Sequence, residues 1–175
     1  NLDDSSLSDD DLIKQAYLKG VPMGGDLSVL EESPSFLVWA TRDTKGAPLQ
    51  RIQIIKGWVE TISGKPHEEI YDVACSDGLK VNPKTHRCPD NGARVNLSNC
   101  SISSNVGASE LKNFWRDPDF DPDLKAFYYV RVLENPTCRW STWDAVKNGF
   151  EARPDLHKTI QERAWSSPIW YTPEA

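Results

Sequence analysis

Two long runs of β-branched and aromatic residues constrain the fold most. Leu49–Val59 places Ile52, Ile54 and Trp58 in alternation with polar positions, and Ala126–Glu134 reads AFYYVRVLE. Alternation with a period of two is typical of a strand in a sheet with one wet face. Branched and aromatic side chains also fit a pleated surface well. The chain is therefore predicted to be mainly β, with Ala126–Glu134 as a central strand.

The remaining strands are predicted from shorter runs between turn residues. Phe36–Arg42 and Leu49–Val59 are separated by a break at Lys45–Pro48, which indicates a β-hairpin. Glu69–Cys75 follows as the third strand of an antiparallel meander. Arg94–Ile102 is a weaker candidate, and a terminal strand is predicted between Ile160 and Tyr171 with an interruption near Pro168.

Three short helices are predicted. The first follows a capping box at Ser8 and Asp11 and ends at Gly20, and the second covers Ser109–Trp115, where apolar residues have helical spacing. The third begins at a capping box of Ser141 and Asp144, reaches Lys147 and is closed by Gly149 as a left-handed C-cap. The predicted fold is an α+β, mainly β domain that resembles an antiparallel β-sandwich with two or three short helices.

Length and charge limit the domain count and the class of partner. The 175 residues fit one domain, 1–175, in which residues 1–10 form a flexible acidic lead-in. A net charge of -6 argues against nucleic acid as a partner, because phosphate backbones are bound by clusters of Lys and Arg. No apolar run approaches the roughly 20 residues of a membrane span. The oligomeric state is not predicted.

Four cysteines stand without the Cys-x-x-Cys spacing of zinc sites. An even count outside that spacing indicates two disulfides and an oxidising compartment, with reduced core cysteines as the alternative. Three connectivities can be drawn, and we favour Cys75 with Cys88 and Cys100 with Cys138. The predicted location is periplasmic or secreted.

The segment from Asp117 to Asp123 is the best candidate for a metal site. It places carboxylates at alternate positions, and calcium takes oxygen ligands; Asp117, Asp119 and Asp121 are the predicted ligands. An EF-hand loop counted from Asp117 would need Gly at Pro122 and Glu at Tyr128. The alternative is a solvated turn stiffened by proline. No other cofactor is predicted for this chain.

No catalytic residue can be assigned, because the nucleophile elbow, the Walker loop and the paired zinc-ligand motifs are absent. The Gly-rich loop Gly20–Asp26 permits close approach to another surface. Tryptophans beside arginines in the last third of the chain would suit sugar stacking, with core packing as the alternative. The predicted ligand or domain contacts are Met23, Asp26, Arg139, Trp140, Trp143, Arg163, Trp165 and Trp170.

Several long motifs in order resemble one bacterial family, the domain-of-unknown-function 3604 family. The motifs are Gly20–Asp26, Gly46–Trp58, Asp117–Pro122, Ala126–Glu134, Pro136–Trp140 and Ile160–Tyr171. The chain looks like the C-terminal part of that family's longer proteins. Cys75 and Cys138 stand where Trp and Pro are common in the family, which suggests a cysteine-bearing subgroup and agrees with the disulfides.

What the resemblance implies is a role within a larger protein. Full-length members resemble metal-dependent phosphoesterases of the polymerase-and-histidinol-phosphatase superfamily, and their metal-binding histidines belong to an N-terminal domain that this chain lacks. We therefore expect a structural or substrate-positioning domain that packs on a divalent-metal hydrolase domain, without enzyme activity of its own. The first alternative is an independent carbohydrate- or ligand-binding module that uses exposed Trp residues, and the second is a fragment that is itself an enzyme.

Overall fold

A computed structural model describes residues 12–28 and 32–173, so the predictions for the acidic lead-in 1–10 and for the capping box at Ser8 and Asp11 lie outside the described residues. The elements in chain order are α1 Leu12–Lys19, β1 Asp26–Leu27, β2 Ser35–Thr41, β3 Leu49–Val59, β4 Pro66–Cys75, β5 Glu110–Arg116, β6 Ala126–Glu134, β7 Thr137–Cys138, α2 Trp140–Asn148, β8 Thr159–Ile160, β9 Arg163–Trp165 and β10 Ile169–Tyr171.

Six strands form the larger sheet. Their order is β1-β10-β6-β3-β4, and β9 also pairs with β6. Neighbouring strands run antiparallel, except that β1 and β10 are parallel. The prediction that Ala126–Glu134 is a central strand is confirmed, and the interrupted terminal strand is also present as β9 and β10.

The period-two pattern gives the larger sheet two distinct faces. Ile52 and Ile54 of β3 lie opposite Val132 and Val130 of β6 and point into the core, where the two isoleucines are 0% and 1% exposed. Burying each such side chain stabilises the fold by about 1.5–3 kcal/mol. We name this side the inner face and the opposite side the outer face.

A separate two-stranded sheet of β2 and β5 covers the inner face. Phe36 and Val38 of β2 and Leu111 of β5 belong to the same buried cluster as Ile52 and Tyr128. The ring centroids of Phe36 and Tyr128 are 4.6 Å apart. The result is a β-rich α+β domain with antiparallel sheets, as predicted, arranged like a sandwich of unequal layers.

The predicted hairpin of Phe36–Arg42 with Leu49–Val59 is wrong. β2 pairs antiparallel with β5 along its whole length, while β3 is flanked by β4 and β6. Pairing β2 with β5 places two apolar faces side by side on the inner face of the larger sheet, which a hairpin in the plane of that sheet would not do. The antiparallel pairing of the third predicted strand with β3 is confirmed.

The predicted helix over Ser109–Trp115 is also wrong, because Glu110–Arg116 is strand β5. Leu111 and Trp115 are four residues apart, a separation that puts two side chains on one face of a helix and equally of a strand. The contacts of Trp115 fit the strand. Its ring centroid is 5.9 Å from that of Phe36 and 5.0 Å from that of Tyr71, in the layer between the two sheets.

The segment between β4 and β5 is irregular and is tied down by covalent and polar contacts. Disulfides join Cys75 to Cys88 and Cys100 to Cys138, the pairs favoured from the sequence. The strand predicted over Arg94–Ile102 is reduced to a single bridge between its second and last residues. The chain here follows the edge of β4 without adding a strand to the sheet.

The second helix, α2, begins one residue earlier than predicted. Arg139 occupies the N-cap position without a side-chain cap, so the capping box predicted at Ser141 and Asp144 does not form. Gly149 adopts the left-handed conformation at φ 70°, and its N–H donates to the carbonyl of Ala145, which confirms the predicted C-cap. Neither described helix is long and apolar enough to cross a membrane.

Candidate functional site

An open groove of about 1080 Å³ lies between α1, strand β2 and the inner face of the larger sheet. Its floor is apolar and includes Ile52, Ile54, Val130 and Val132 from the two central strands. Its rim is formed by α1 and the loop that follows, through Ile13, Ala16, Tyr17, Val21, Pro22 and Met23. The groove therefore borders the core of the fold, in which Ile52 and Ile54 are themselves buried.

The helix α1 is only partly packed. Leu12 is buried, but Tyr17 and Leu18 remain 69% and 75% exposed. Tyr17 borders the groove, whereas Leu18 is not among its lining residues. Exposed apolar side chains beside an apolar groove are typical of a surface that another molecule covers.

The loop Gly20–Asp26 is attached to the sheet by its backbone. The Gly24 N–H donates to the Pro168 carbonyl at 3.0 Å, and Asp26 and Leu27 pair in parallel with Trp170 and Tyr171. Gly24 has a φ of 89°, which favours glycine at this position. The structure thus brings the predicted contact residues Met23, Asp26 and Trp170 into one region at the edge of the larger sheet.

The outer face of the larger sheet carries an aromatic strip. Phe127, Tyr129 and Arg131 alternate along β6, and in the register Trp170 lies beside Phe127 and Trp165 beside Arg131. The Phe127 ring centroid is 5.3 Å from that of Trp170 and 6.3 Å from that of Tyr129. Gly57 opposite leaves space for the Phe127 ring, with which an added Cβ would overlap.

A chain of polar contacts continues from this strip across the outer face. Arg131 Nε donates to Gln53 Oε1 at 2.7 Å, and Gln53 Nε2 donates to Asp72 Oδ1 at 2.6 Å. Asp72 Oδ2 accepts the Cys88 N–H at 2.7 Å and lies 3.7 Å from Arg51 Nε. Asp72 is buried, so its charge is matched by Arg51 and by neutral donors inside the protein.

The predicted calcium ligands lie on a turn that is bound to the sheet by protein groups. Asp117 Oδ2 is 2.7 Å from Lys56 Nζ and accepts the Tyr128 hydroxyl at 2.7 Å. Asp119 Oδ2 accepts the Tyr71 hydroxyl at 2.8 Å, and Lys56 Nζ also donates to the Asp119 carbonyl at 2.6 Å. Lys56 thus holds the turn through two of its residues.

These contacts leave little ligand capacity for a cation. Calcium takes six to eight oxygen ligands, usually several of them ionised carboxylates. Asp117 already neutralises an ammonium group, and Asp121 Oδ1 accepts the Asp123 N–H at 2.9 Å. Within residues 12–28 and 32–173, no three His, Cys, Asp or Glu side chains are grouped to hold a metal ion. The arrangement gives no support to a calcium site, which stays a prediction.

Burial and hydrogen bonding keep two phenols of this cluster neutral. Desolvation is the main cause that raises the pKa of Tyr128, and its hydrogen bond to Asp117 raises it further. The pKa of Tyr71 is raised in the same way, first by desolvation and then by its hydrogen bond to Asp119. Both hydroxyls therefore act as donors to carboxylates.

The remaining predicted contact residues fall into two places. Arg163 and Trp165 lie on β9, where the register puts them on the outer face beside Leu133 and Arg131. Trp165 also borders the groove, as Met23 does. Arg139, Trp140 and Trp143 lie at the start of α2, with both tryptophans exposed, and none of the three lines the groove. The eight residues therefore do not form one site.

Sequence reasoning missed the residues that organise both faces. Lys56 lies at an inward position of an apolar strand, between Ile54 and Trp58. A lysine at such a position signals a buried charge that needs a partner, but the sequence predictions did not include it. Gln53 and Arg131 are the corresponding polar positions on the outer face. The groove has no sequence signal of its own, because its walls come from segments far apart in the chain.

Comparison with known proteins places the chain in one family. No curated protein and no solved structure matches it. The family model described as "Protein of unknown function (DUF3604)" matches residues 1–173, nearly the whole chain. The resemblance inferred from the motifs is confirmed, and the chain belongs to the DUF3604 family.

Proposed function

We propose that this chain is a structural and substrate-positioning β domain that packs on a metal-dependent hydrolase domain of the same protein. The observation that carries the proposal is the apolar groove of about 1080 Å³ between α1 and the inner face of the larger sheet. Covering the groove would remove from water the exposed apolar rim residues Ile13, Tyr17 and Met23. Apolar burial stabilises such an interface by roughly 25 cal/mol per Å².

The composition of the groove favours a polypeptide partner over a small ligand. Its walls come from a helix, a glycine-containing loop and two sheets. An apolar helix or loop from a neighbouring domain would fill such a large, open groove. The Gly20–Asp26 loop is the segment that we expect to face the partner and to edge its substrate cleft, because small residues allow close backbone approach.

In this proposal the chemistry belongs to the partner domain. No residue of this chain is assigned a catalytic or metal-binding role, and the divalent metal would be held by the hydrolase domain. The two disulfides agree with an oxidising compartment. We propose a periplasmic or secreted location on that basis.

A pair of substitutions in the native polypeptide tests the packing. Tyr17→Glu introduces a charge into the groove, whereas Leu18→Glu introduces the same charge at the adjacent position of α1, outside it. We expect calorimetry to show that Tyr17→Glu splits a coupled thermal unfolding transition into two, because an unpaired charge at the interface opposes docking. Leu18→Glu should leave the coupled transition intact.

Two results would contradict the proposal. The first is an intact mass of the native polypeptide near the 19.7 kDa of this chain, which would leave no room for a second domain. The second is identical unfolding of the two variants in a longer polypeptide, which would show that the groove makes no interdomain contact.

A further inference from the structure

We propose that the outer face of the larger sheet binds an acidic oligosaccharide, through the exposed ring of Trp165, the aromatic strip of β6, and the guanidinium groups of Arg131 and Arg163. Trp165 and Tyr129 also border the groove, whereas Arg131 and Arg163 do not. The sequence pointed to sugar stacking by Trp165 without giving the charge of the ligand. The inference does not rest on the proposed function, because the two arginines that would select the ligand lie outside the groove.

The aromatic part of the site has the shape for stacking. Trp165 is 58% exposed, and Tyr129 and Phe127 follow along β6 at alternate positions on the same face. From Arg131 to Phe127 the strand covers about 13 Å at the usual rise per residue. The rings of Phe127 and Tyr129 stack on each other and Trp165 is exposed beside them, so the strip offers partly exposed apolar surface to sugar rings at little cost in side-chain entropy.

The positive charge at the Arg131 end of the aromatic strip favours an anionic ligand. Arg131 uses Nε to bind Gln53, which orients its guanidinium, and Arg163 is exposed on the adjacent strand. Within the described part of the chain, neither arginine forms an ion pair. The carboxylate of Asp72 on the same face is buried and already matched by Arg51 and the Cys88 N–H. Two positive charges therefore remain without compensation in a protein whose net charge is -6.

The opposite end of the strip has the opposite charge. Asp26 lies beside Trp170 in the register, and Glu68 lies opposite Gly57. A ligand with one anionic end and a sugar-like body would thus lie with its carboxylate at Arg131 and Arg163. A guanidinium group can bind a carboxylate through two parallel hydrogen bonds, which makes a uronic acid the best match.

Other anionic polymers fit less well. A nucleic acid spaces its charges closely and needs many cations, whereas this face offers two free guanidinium groups and two carboxylates. An acidic peptide would satisfy the arginines but would make no use of a row of flat rings. Both classes serve as competing ligands in the test.

The test uses a tetrasaccharide with a single terminal galacturonic acid as the probe and its methyl ester as the neutral match. Tryptophan fluorescence and calorimetry on the native polypeptide should show saturable binding of the acid and at least roughly tenfold weaker binding of the ester, since charge-assisted hydrogen bonds contribute most. Arg163→Gln and Arg131→Gln should each weaken binding by roughly tenfold. Arg153→Gln is the control, because Arg153 is exposed and already paired with Asp155 at 2.6 Å.

If Arg131→Gln also disturbs the sheet through its contact with Gln53, Arg163→Gln still tests the proposal. Arg163 is an exposed residue of an edge strand, so its replacement should leave the fold intact. Trp165→Ala should remove most of the fluorescence change, whereas Trp143→Ala on α2 should leave it unaltered. The proposal is overturned by equal affinity for acid and ester, by no binding at millimolar concentrations, or by unchanged affinity in Arg163→Gln. Tighter binding of polyglutamate or single-stranded DNA than of the uronate would also overturn it.

Discussion

The ammonium group of Lys56 shows how a single buried residue can hold a turn on a sheet. It is 2.7 Å from Asp117 and 2.6 Å from the Asp119 carbonyl, and its side chain is 6% exposed. It also lies 5.4 Å from the ring centroid of Trp58 and 6.0 Å from that of Tyr128. The Asp-Pro-Asp-Phe turn is therefore attached to β3 mainly through one charge.

Removing the Asp117 carboxylate, which pairs with Lys56, should destabilise the fold. We predict that Asp117→Asn lowers the free energy of unfolding by about 3–5 kcal/mol, because Lys56 would stay buried without its counter-charge. Urea denaturation measures the change. Asp155→Asn is the control, since its pair with Arg153 is exposed, and it should have no measurable effect. Equal stability of the two variants would mean that the buried pair does not hold the turn.

The same cluster predicts a loss of stability at high pH. The pKa values of Tyr71 and Tyr128 are raised, first by desolvation and then by hydrogen bonds to carboxylates. Their contribution to stability is fully present below the unfolded-state pKa of about 10 and is lost as pH rises above it, because only the unfolded chain releases the protons. Above the unfolded-state pKa, each tyrosine should lower the free energy of unfolding by about 1.4 kcal/mol per pH unit until its folded-state pKa is reached.

Denaturation at several values between about pH 9 and about pH 11 measures this slope. The double variant Tyr71→Phe with Tyr128→Phe should be less stable near neutral pH but should lose stability less steeply in alkali. An unchanged slope in the double variant would show that other groups cause the alkaline transition.

Among the elements, the irregular segment between β4 and β5 depends most on covalent links. The Cys75–Cys88 disulfide closes 13 residues and the Cys100–Cys138 disulfide closes 38. The loop-entropy model gives about 3 kcal/mol for the first and about 4 kcal/mol for the second. The longer link also joins this segment to β7, ahead of α2.

We therefore predict that replacing Cys100 and Cys138 by serine destabilises the protein more than replacing Cys75 and Cys88. Each double replacement avoids a free thiol, and thermal or urea unfolding of the two variants gives the order. The reverse order would indicate that native contacts around Cys88, such as its N–H bond to Asp72, outweigh the loop entropy.

The elements also show what could be predicted from the sequence. Strands β3, β4 and β6 were predictable because their alternation or composition is local, and so were the C-cap at Gly149 and the favoured cysteine pairs. The pairing of β2 with β5 was not, because about seventy to eighty positions separate their partners in the register, for example Phe36 and Trp115. Only the three-dimensional match of two apolar faces selects that pairing over a hairpin.

At the scale of the whole molecule, the two faces of the larger sheet have different roles. The inner face forms the core and, where β2 leaves it uncovered, the floor of the groove. The outer face carries the aromatic strip and the arginines. Sequence alone identified several members of these surfaces, such as Met23 at the groove and Arg163 on the outer face, but it could not divide them between the two, because that division depends on strand order.

The central claim is that the groove beside α1 is covered in the native polypeptide. All four cysteines of this chain are in disulfides, so a single new cysteine can be labelled with a soluble maleimide against the parent as background. Tyr17→Cys and Leu18→Cys place the thiol at exposed positions on the same helix, and only the first borders the groove. We expect Tyr17→Cys to react at least roughly tenfold more slowly than Leu18→Cys in the folded native polypeptide, because about 1.4 kcal/mol or more is needed to expose its thiol. Equal labelling rates at the two positions would contradict it.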